Sequence, residues 1–236
     1  MSEERELQAF VERVSAELER DGRDVLRHPA MRALAEGRLP LEGLRAWARQ
    51  FWHCIRTSAR SFANVHANLS DEDIDLRREL AANIYEEDAG GISKTDNHNA
   101  LFLEFARALG LDEAEVRGGA RGPEAAALMG DFEVRALTRE QALEWLCIRG
   151  VGMERANAAI CAAMGDALRK HYGLPRSATR FFDVHASVDE DHGEFAVKVL
   201  RRLGTTPARR AELERKIVAG AELFYRVWDT MLPSKA

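Results

Sequence analysis

The chain has 236 residues, 46% hydrophobic and 31% charged, a balance that suits one buried core in a globular protein. Its 34 basic and 39 acidic residues are interspersed and sum to a formal charge of −5, which excludes a basic stripe for nucleic acid and a polybasic membrane anchor. The start, Met1 to Glu6, lacks the layout of a signal peptide, and no run approaches the ~18 apolar residues of a membrane span. The expectation is therefore a cytoplasmic protein with a small-molecule partner.

The predicted elements are all helical. Leu7, Phe10, Val11, Val14 and Leu18 recur at helical spacing over 4–20, and Asp21-Gly22 ends that run. His28-Pro29 opens a short helical turn through Ala35. One long helix is expected over 41–69, with Leu44, Trp47, Phe51, Ile55, Ser58, Phe62, Val65 and Leu69 inward. Ser70 with Asp71, Glu72 and Asp73 caps the next helix, which carries Leu76, Leu80, Asn83 and Glu87 on one face before Gly90-Gly91 breaks it. A helix follows over 97–109, with His98 at its start. Residues 112–122, rich in glycine, read as a linker or as a mobile segment at a pocket mouth. Pro123 suits the first position of another helix. Thr138 to Gln141 matches a capping box opening a helix to Tyr172, and further helices are expected over 177–203 and 207–232. No stretch alternates with period two for long enough to be a strand, so the fold class is all-α.

Chemistry gathers on four of these helices. His185, Asp189 and His192 stand at i, i+4 and i+7, within a narrow arc of one face, and interrupt an apolar stripe that runs from Phe181 and Phe182 to Ala196, Val199 and Leu203. Buried polar groups need partners. Glu154 shares a buried stripe with Leu143, Cys147, Val151, Ala158, Cys161, Gly165 and Leu168, and the small residues Gly150, Gly152, Ala158 and Ala159 leave space beside it. Glu87 lies on the stripe of its own helix, with Glu86 and Asp88 about 100° to either side as substitutes for it. His98 is close by in sequence, and also reads as a plain helix-start histidine. Three imidazoles and three carboxylates are the donor set of one or two iron or manganese ions, and the thiolates of structural zinc are missing from it. His28, His53, His66 and His171 read as structural or surface residues. Cys54, Cys147 and Cys161 form no CxxC pair and read as reduced, partly buried thiols. Arg49, Arg56, Arg60, Arg149 and Arg180 all fall away from the inner stripes, which leaves no clamp for a substrate carboxylate.

Three motifs, Glu86-Glu87 with Gly90-Gly91 and His98, Gly150-Val151-Gly152-Met153-Glu154, and Phe181-Phe182-Asp183-Val184-His185 through His192, resemble the heme-oxygenase-like diiron oxidases and oxygenases. The resemblance runs over most of the chain, in the right order. It implies a single domain over 1–236 of seven to eight helices, a homodimer, and an O2-reactive pair of Fe(II) ions held by Glu87, His98, Glu154, His185, Asp189 and His192. Such enzymes act on small amine- or carboxylate-bearing molecules by N-oxygenation, oxidative C–C cleavage or desaturation. Members that consume a tyrosine of their own chain to make p-aminobenzoate share the ligands, but here no tyrosine precedes Tyr85, which argues against that activity. Some N-oxygenating members carry a further carboxylate ligand, for which the 41–69 helix offers only Glu42. The alternatives are a metal-free TenA-like or PQQ-synthase-like enzyme, with Cys147 or Cys161 as nucleophile in the thiaminase type, a heme-cleaving oxygenase using His28, and a non-catalytic iron-binding helical protein.

Overall fold

Apolar residues spaced three and four apart become the inward faces of a helical assembly. The computed structural model describes residues 3–132, 138–187, 192–204 and 206–233, with side chains left out at 129–132 and 192–194. Every regular element among the described residues is helical: α1 Glu3–Arg20, α2 Pro29–Ala35, α3 Leu41–Ile55, α4 Ser58–Asn68, α5 Ile74–Ala89, α6 His98–Ala108, α7 Glu113–Gly118, α8 Pro123–Phe132, α9 Arg139–Gly152, α10 Asn157–Tyr172, α11 Arg180–Ala186, α12 His192–Leu203 and α13 Pro207–Val227. Short 3-10 turns occupy Val25–Arg27, Asp71–Asp73, Glu154–Ala156 and Trp228–Met231. No helix among the described residues is long and apolar enough to cross a membrane.

The expected caps are present. Ser70 forms a capping box with Asp73, and Thr138 forms one with Gln141, so each helix start satisfies its own free N–H groups. Gly90 and Gly173 end α5 and α10 in the left-handed conformation, at φ of 55° and 67°, where a side chain would be strained. The glycine-rich 112–122 stretch is more ordered than a linker. Asp112 caps α7, and Gln50 pins the loop after it, accepting from the Gly122 N–H at 2.6 Å and donating to the Ala120 carbonyl.

Three long helices expected from periodicity are divided, and the divisions matter more for function than the helices do. The 41–69 run breaks at Arg56-Thr57, where the Thr57 hydroxyl donates back to the carbonyls of His53 and Cys54 and tightens the last turn of α3. The 138–172 run breaks at Met153, whose φ of −132° leaves the helical region, and a 3-10 turn starting at Glu154 links α9 to α10. In the 177–203 run, α11 stops at Ala186 with Ser187 as its cap, and α12 begins at His192. The one-face argument for His185, Asp189 and His192 requires a continuous helix; α11 ends at Ala186, and Asp189 lies outside the described residues. A periodic stripe reports which side of the chain is apolar and is blind to a local change of axis.

The core runs between the helices as a set of aromatic contacts. Trp47, Trp228, Phe102, Phe105 and Phe182 are fully buried. With only seven residues, α11 is too short to persist alone. Phe181 and Phe182 anchor it to α6, with ring centroids 5.2 Å from Phe102 and 4.9 Å from Phe105 respectively. On its other side Arg169 of α10 donates to Thr179 at 2.9 Å and to the Asp183 carboxylate at 2.6 Å. These anchors fix the position of His185 relative to the start of α6.

Candidate metal centre

Helix ends converge on a cavity of about 500 Å³, lined by Glu87, His98, Glu154 and His185 together with a largely apolar wall. Glu87 comes from the last turn of α5, His98 from the first turn of α6 and His185 from the last turn of α11, while Glu154 opens the turn between α9 and α10. One ligand atom from each of Glu87, His98 and His185 lies within 4.8 Å of the other two, a separation that a single ion can bridge. Glu154 faces the same cavity outside that triad. Asp189 lies outside the described residues. His192 opens α12, with its side chain outside them as well.

Each imidazole has one nitrogen committed and one turned to the cluster. His185 Nδ1 is 2.7 Å from the Phe181 carbonyl and must donate to it, which leaves Nε2 as the lone pair. His98 Nε2 is 3.4 Å from Glu86 Oε1, and His98 Nδ1 is 3.1 Å from Glu87 Oε2. The second approach is off the line of a hydrogen bond, so His98 Nδ1 is a buried nitrogen with no hydrogen-bond partner. An orphaned nitrogen beside a carboxylate and a second imidazole, whose rings are 4.5 Å apart, fits a metal ion as the missing partner.

The electrostatics point the same way. Burial lowers the His185 pKa, and the neighbouring charge on His98 adds to the effect, so the ring is held in the neutral form that binds metal. Burial alone would lower His98 and raise Glu87. Their mutual contact outweighs it, with Glu86 helping His98, and leaves His98 raised and Glu87 lowered. A cation in the cluster would take over the role of that imidazolium proton.

By sequence Glu86, Glu87 and Asp88 compete for one role, and the structure gives them different surroundings. Glu86 is buried and accepts from the backbone N–H groups of Ile92 at 2.7 Å and Ser93 at 3.0 Å, pinning the loop between α5 and α6. Burial by itself would raise its pKa, but those bonds and the contact with His98 hold it down at about 2. Asp88 is exposed. Glu87 alone of the three points both ways, accepting from Ser58 Oγ at 2.9 Å through Oε1 and facing His98 through Oε2.

Two side chains of the site were missed or misplaced. Ser58 stood on the predicted inner stripe of its helix, and a hydroxyl on an apolar stripe was the signal for it. Arg149 was expected to face away, yet it lines the cavity with its side chain only 17% exposed. The break at Met153 explains the error, because it lets Glu154 turn back and accept from Arg149 Nε at 2.6 Å. The other four arginines of that expectation are at the surface or, like Arg49, paired with surface acids. The glycines also differ in role. Gly150 lines the cavity, whereas a Cβ on Gly152 would lie 3.1 Å from the Ile217 carbonyl, so Gly152 serves the approach of α13.

Two rival sites are not assembled. His28 is fully buried, with Nδ1 capping α2 and Nε2 3.2 Å from Asp229, away from the cavity. Burial pushes the thiols of Cys54 and Cys147 up to about 12 and raises that of Cys161, so none of the three is a thiolate near neutral pH.

Comparison with known proteins supplies the lineage. Over 199 residues the chain is 28% identical to a 4-aminobenzoate synthase of Nitrosomonas europaea, covering 81% of this chain and 78% of that protein. Among solved structures, a TenA homologue from Pseudomonas syringae matches with a TM-score of 0.75 at 14% identity over 97% of this chain and 91% of that one. A domain from Shewanella denitrificans with a heme oxygenase-like fold matches with a TM-score of 0.67 at 15% identity, covering 93% and 89%. These two likenesses establish the all-α, heme-oxygenase-like fold. The family model described as iron-containing redox enzyme matches residues 45–229, and this chain belongs to that family.

Proposed function

We propose that the protein is a non-heme diiron oxidase or oxygenase that uses O2 on a small external metabolite bearing an amine or a carboxylate. The observation that carries this reading is the Glu87, His98 and His185 triad, with its buried and unpartnered His98 Nδ1, at the wall of an apolar cavity. These three residues would hold one ion. Glu154, with Asp189 and His192 as the family resemblance implies, would hold the second. Bound iron would supply the electrons that reduce dioxygen. The protein's part is to fix ligands and exclude water: Phe181 sets the tautomer of His185, Glu86 steadies His98, Ser58 orients Glu87, and Trp47, Phe51, Phe62 and Phe224 keep the cavity dry.

An external substrate is favoured over a sacrificed tyrosine. The chain has three tyrosines, and none lines the cavity. Tyr85 packs over Gly91, Tyr172 donates to the Leu39 carbonyl at 2.9 Å, and Tyr225 lies against His28. The nucleophilic-cysteine reading is disfavoured by the raised thiols, and the heme reading by the capping role of His28. Oxygen consumption by the Fe(II)-loaded protein, screened across amino acids, amines and fatty acids, tests the proposal. Substrate-triggered uptake with a transient visible absorbance is expected. Iron binding with no substrate-dependent uptake in any class would favour an iron-binding protein without this activity.

A further inference from the structure

Two carboxylates at the cavity, Glu87 and Glu154, come from helices that do not adjoin in sequence, yet a short polar chain joins them. Ser58 Oγ donates to Glu87 Oε1 at 2.9 Å and accepts from Arg149 Nη2 at 3.4 Å, and Arg149 Nε donates to Glu154 Oε1 at 2.6 Å. One oxygen of each carboxylate is thereby held by the protein. For Glu87 the other oxygen is the one beside His98. Arg149 is itself fixed, its guanidinium 4.4 Å from the centroid of Phe62 and 5.4 Å from that of Trp145. Both Ser58 and Arg149 sit at the helix breaks described above, Ser58 as the first residue of α4 and Arg149 in the last turn of α9.

We infer that Arg149, acting with Ser58, is a positioning residue that sets the two carboxylates for metal binding. The inference rests on the diiron reading above. A planar guanidinium suits the role because it offers separate donors to two partners in a fixed geometry, which a lysine ammonium on a flexible stem does not. Partners of this kind, one bond behind the ligands, change metal affinity when removed. The chain also explains why an arginine is tolerated at the wall of an apolar cavity: its charge is matched by Glu154 and its plane by aromatic rings.

Anaerobic Fe(II) titration of the full-length protein, with Mn(II) and its EPR signal as a second probe, tests the inference on Arg149→Gln, Arg149→Lys and Ser58→Ala. Arg149→Gln should weaken at least one of the two metal equivalents about 10- to 100-fold, Ser58→Ala should weaken binding in the same direction by less, and Arg149→Lys should restore only part of the loss. Arg139→Gln, which removes an arginine–carboxylate contact elsewhere, serves as control and should lower Tm while leaving metal affinity unchanged. Unchanged or tighter metal binding in folded Arg149→Gln would overturn the inference, the tighter result meaning that Arg149 competes with the metal for Glu154. Full rescue by lysine would also overturn it, because charge alone would then suffice. If the wild-type protein itself binds no metal, the diiron reading fails first, and the two failures are told apart.

Discussion

Two acidic side chains near the ends of α5 show how the same group is used for opposite purposes. Asp73, at the start of the helix, is fully buried and saturated: Arg139 Nε and Nη2 reach it at 2.7 and 2.6 Å, and the Ser70 hydroxyl and backbone N–H add two more bonds. Glu87, at the other end, keeps its side chain 14% exposed, and its partners are a serine on one oxygen and, on the other, an imidazole nitrogen that is close yet out of line. A buried carboxylate that meets a bidentate arginine is part of the framework. One that meets two imidazoles, each with a nitrogen turned inward, is left for a ligand.

Removing each acid in turn separates the two roles. Asp73→Ala removes the acceptor of Ser70 and of the part-exposed Arg139 and should cost about 2 kcal/mol of stability, on the order of 4–8 °C in Tm by calorimetry, without changing metal affinity in the fraction that stays folded. Glu87→Ala should do the reverse: metal binding falls by at least about 100-fold while stability of the metal-free protein shifts by no more than ~1 kcal/mol. If both substitutions act mainly on Tm, the two carboxylates are alike and the comparison fails.

A smaller effect concerns acid. Asp73 and Glu86 both titrate below the ordinary carboxyl range in the folded protein. For each, burial alone would raise the pKa, but hydrogen bonds from Arg139 and Ser70 to Asp73, and from Ser93 and Ile92 to Glu86, outweigh it. A depressed folded pKa adds stability above the unfolded value that is lost as pH falls through the folded one. For Glu86 the window is therefore from about 4.5 down to about 2. Glu86→Gln should flatten the pH dependence of urea stability in that window; a slope equal to that of the wild type would show that the loop anchor contributes nothing. The smallest effect expected is on the thiols. Cys147 and Cys161, buried and raised, should resist iodoacetamide at neutral pH in the folded protein and react only on unfolding, as read by mass spectrometry.

How much of this was legible in the sequence follows from what each signal reports. Apolar periodicity and caps such as Ser70 and Thr138 are local, and they gave the helices and the all-α class. Glu87, Glu154 and His185 were legible as polar residues on apolar stripes and His98 by its nearness to Glu87 in sequence, and the cavity gathers all four. The breaks at Thr57, Met153 and Ser187 were not, because a hydroxyl folding back on the helix or a single residue leaving the helical region does not disturb a hydrophobic stripe. Those breaks carry the rest of the site: they turn Glu154 back onto Arg149, set Ser58 against Glu87, and end α11 directly after His185. The role of Glu86 was hidden for a related reason, since its partners are backbone N–H groups of the following loop, which no residue type announces.

Whether the converging helix ends form a diiron site is decided by anaerobic Fe(II) titration of the wild-type protein beside His185→Ala. Two equivalents bound by the wild type, and a clear loss of binding in the variant at unchanged helical content, are the predicted result. Fewer than one equivalent in the wild type, with no difference on replacing His185, would contradict it.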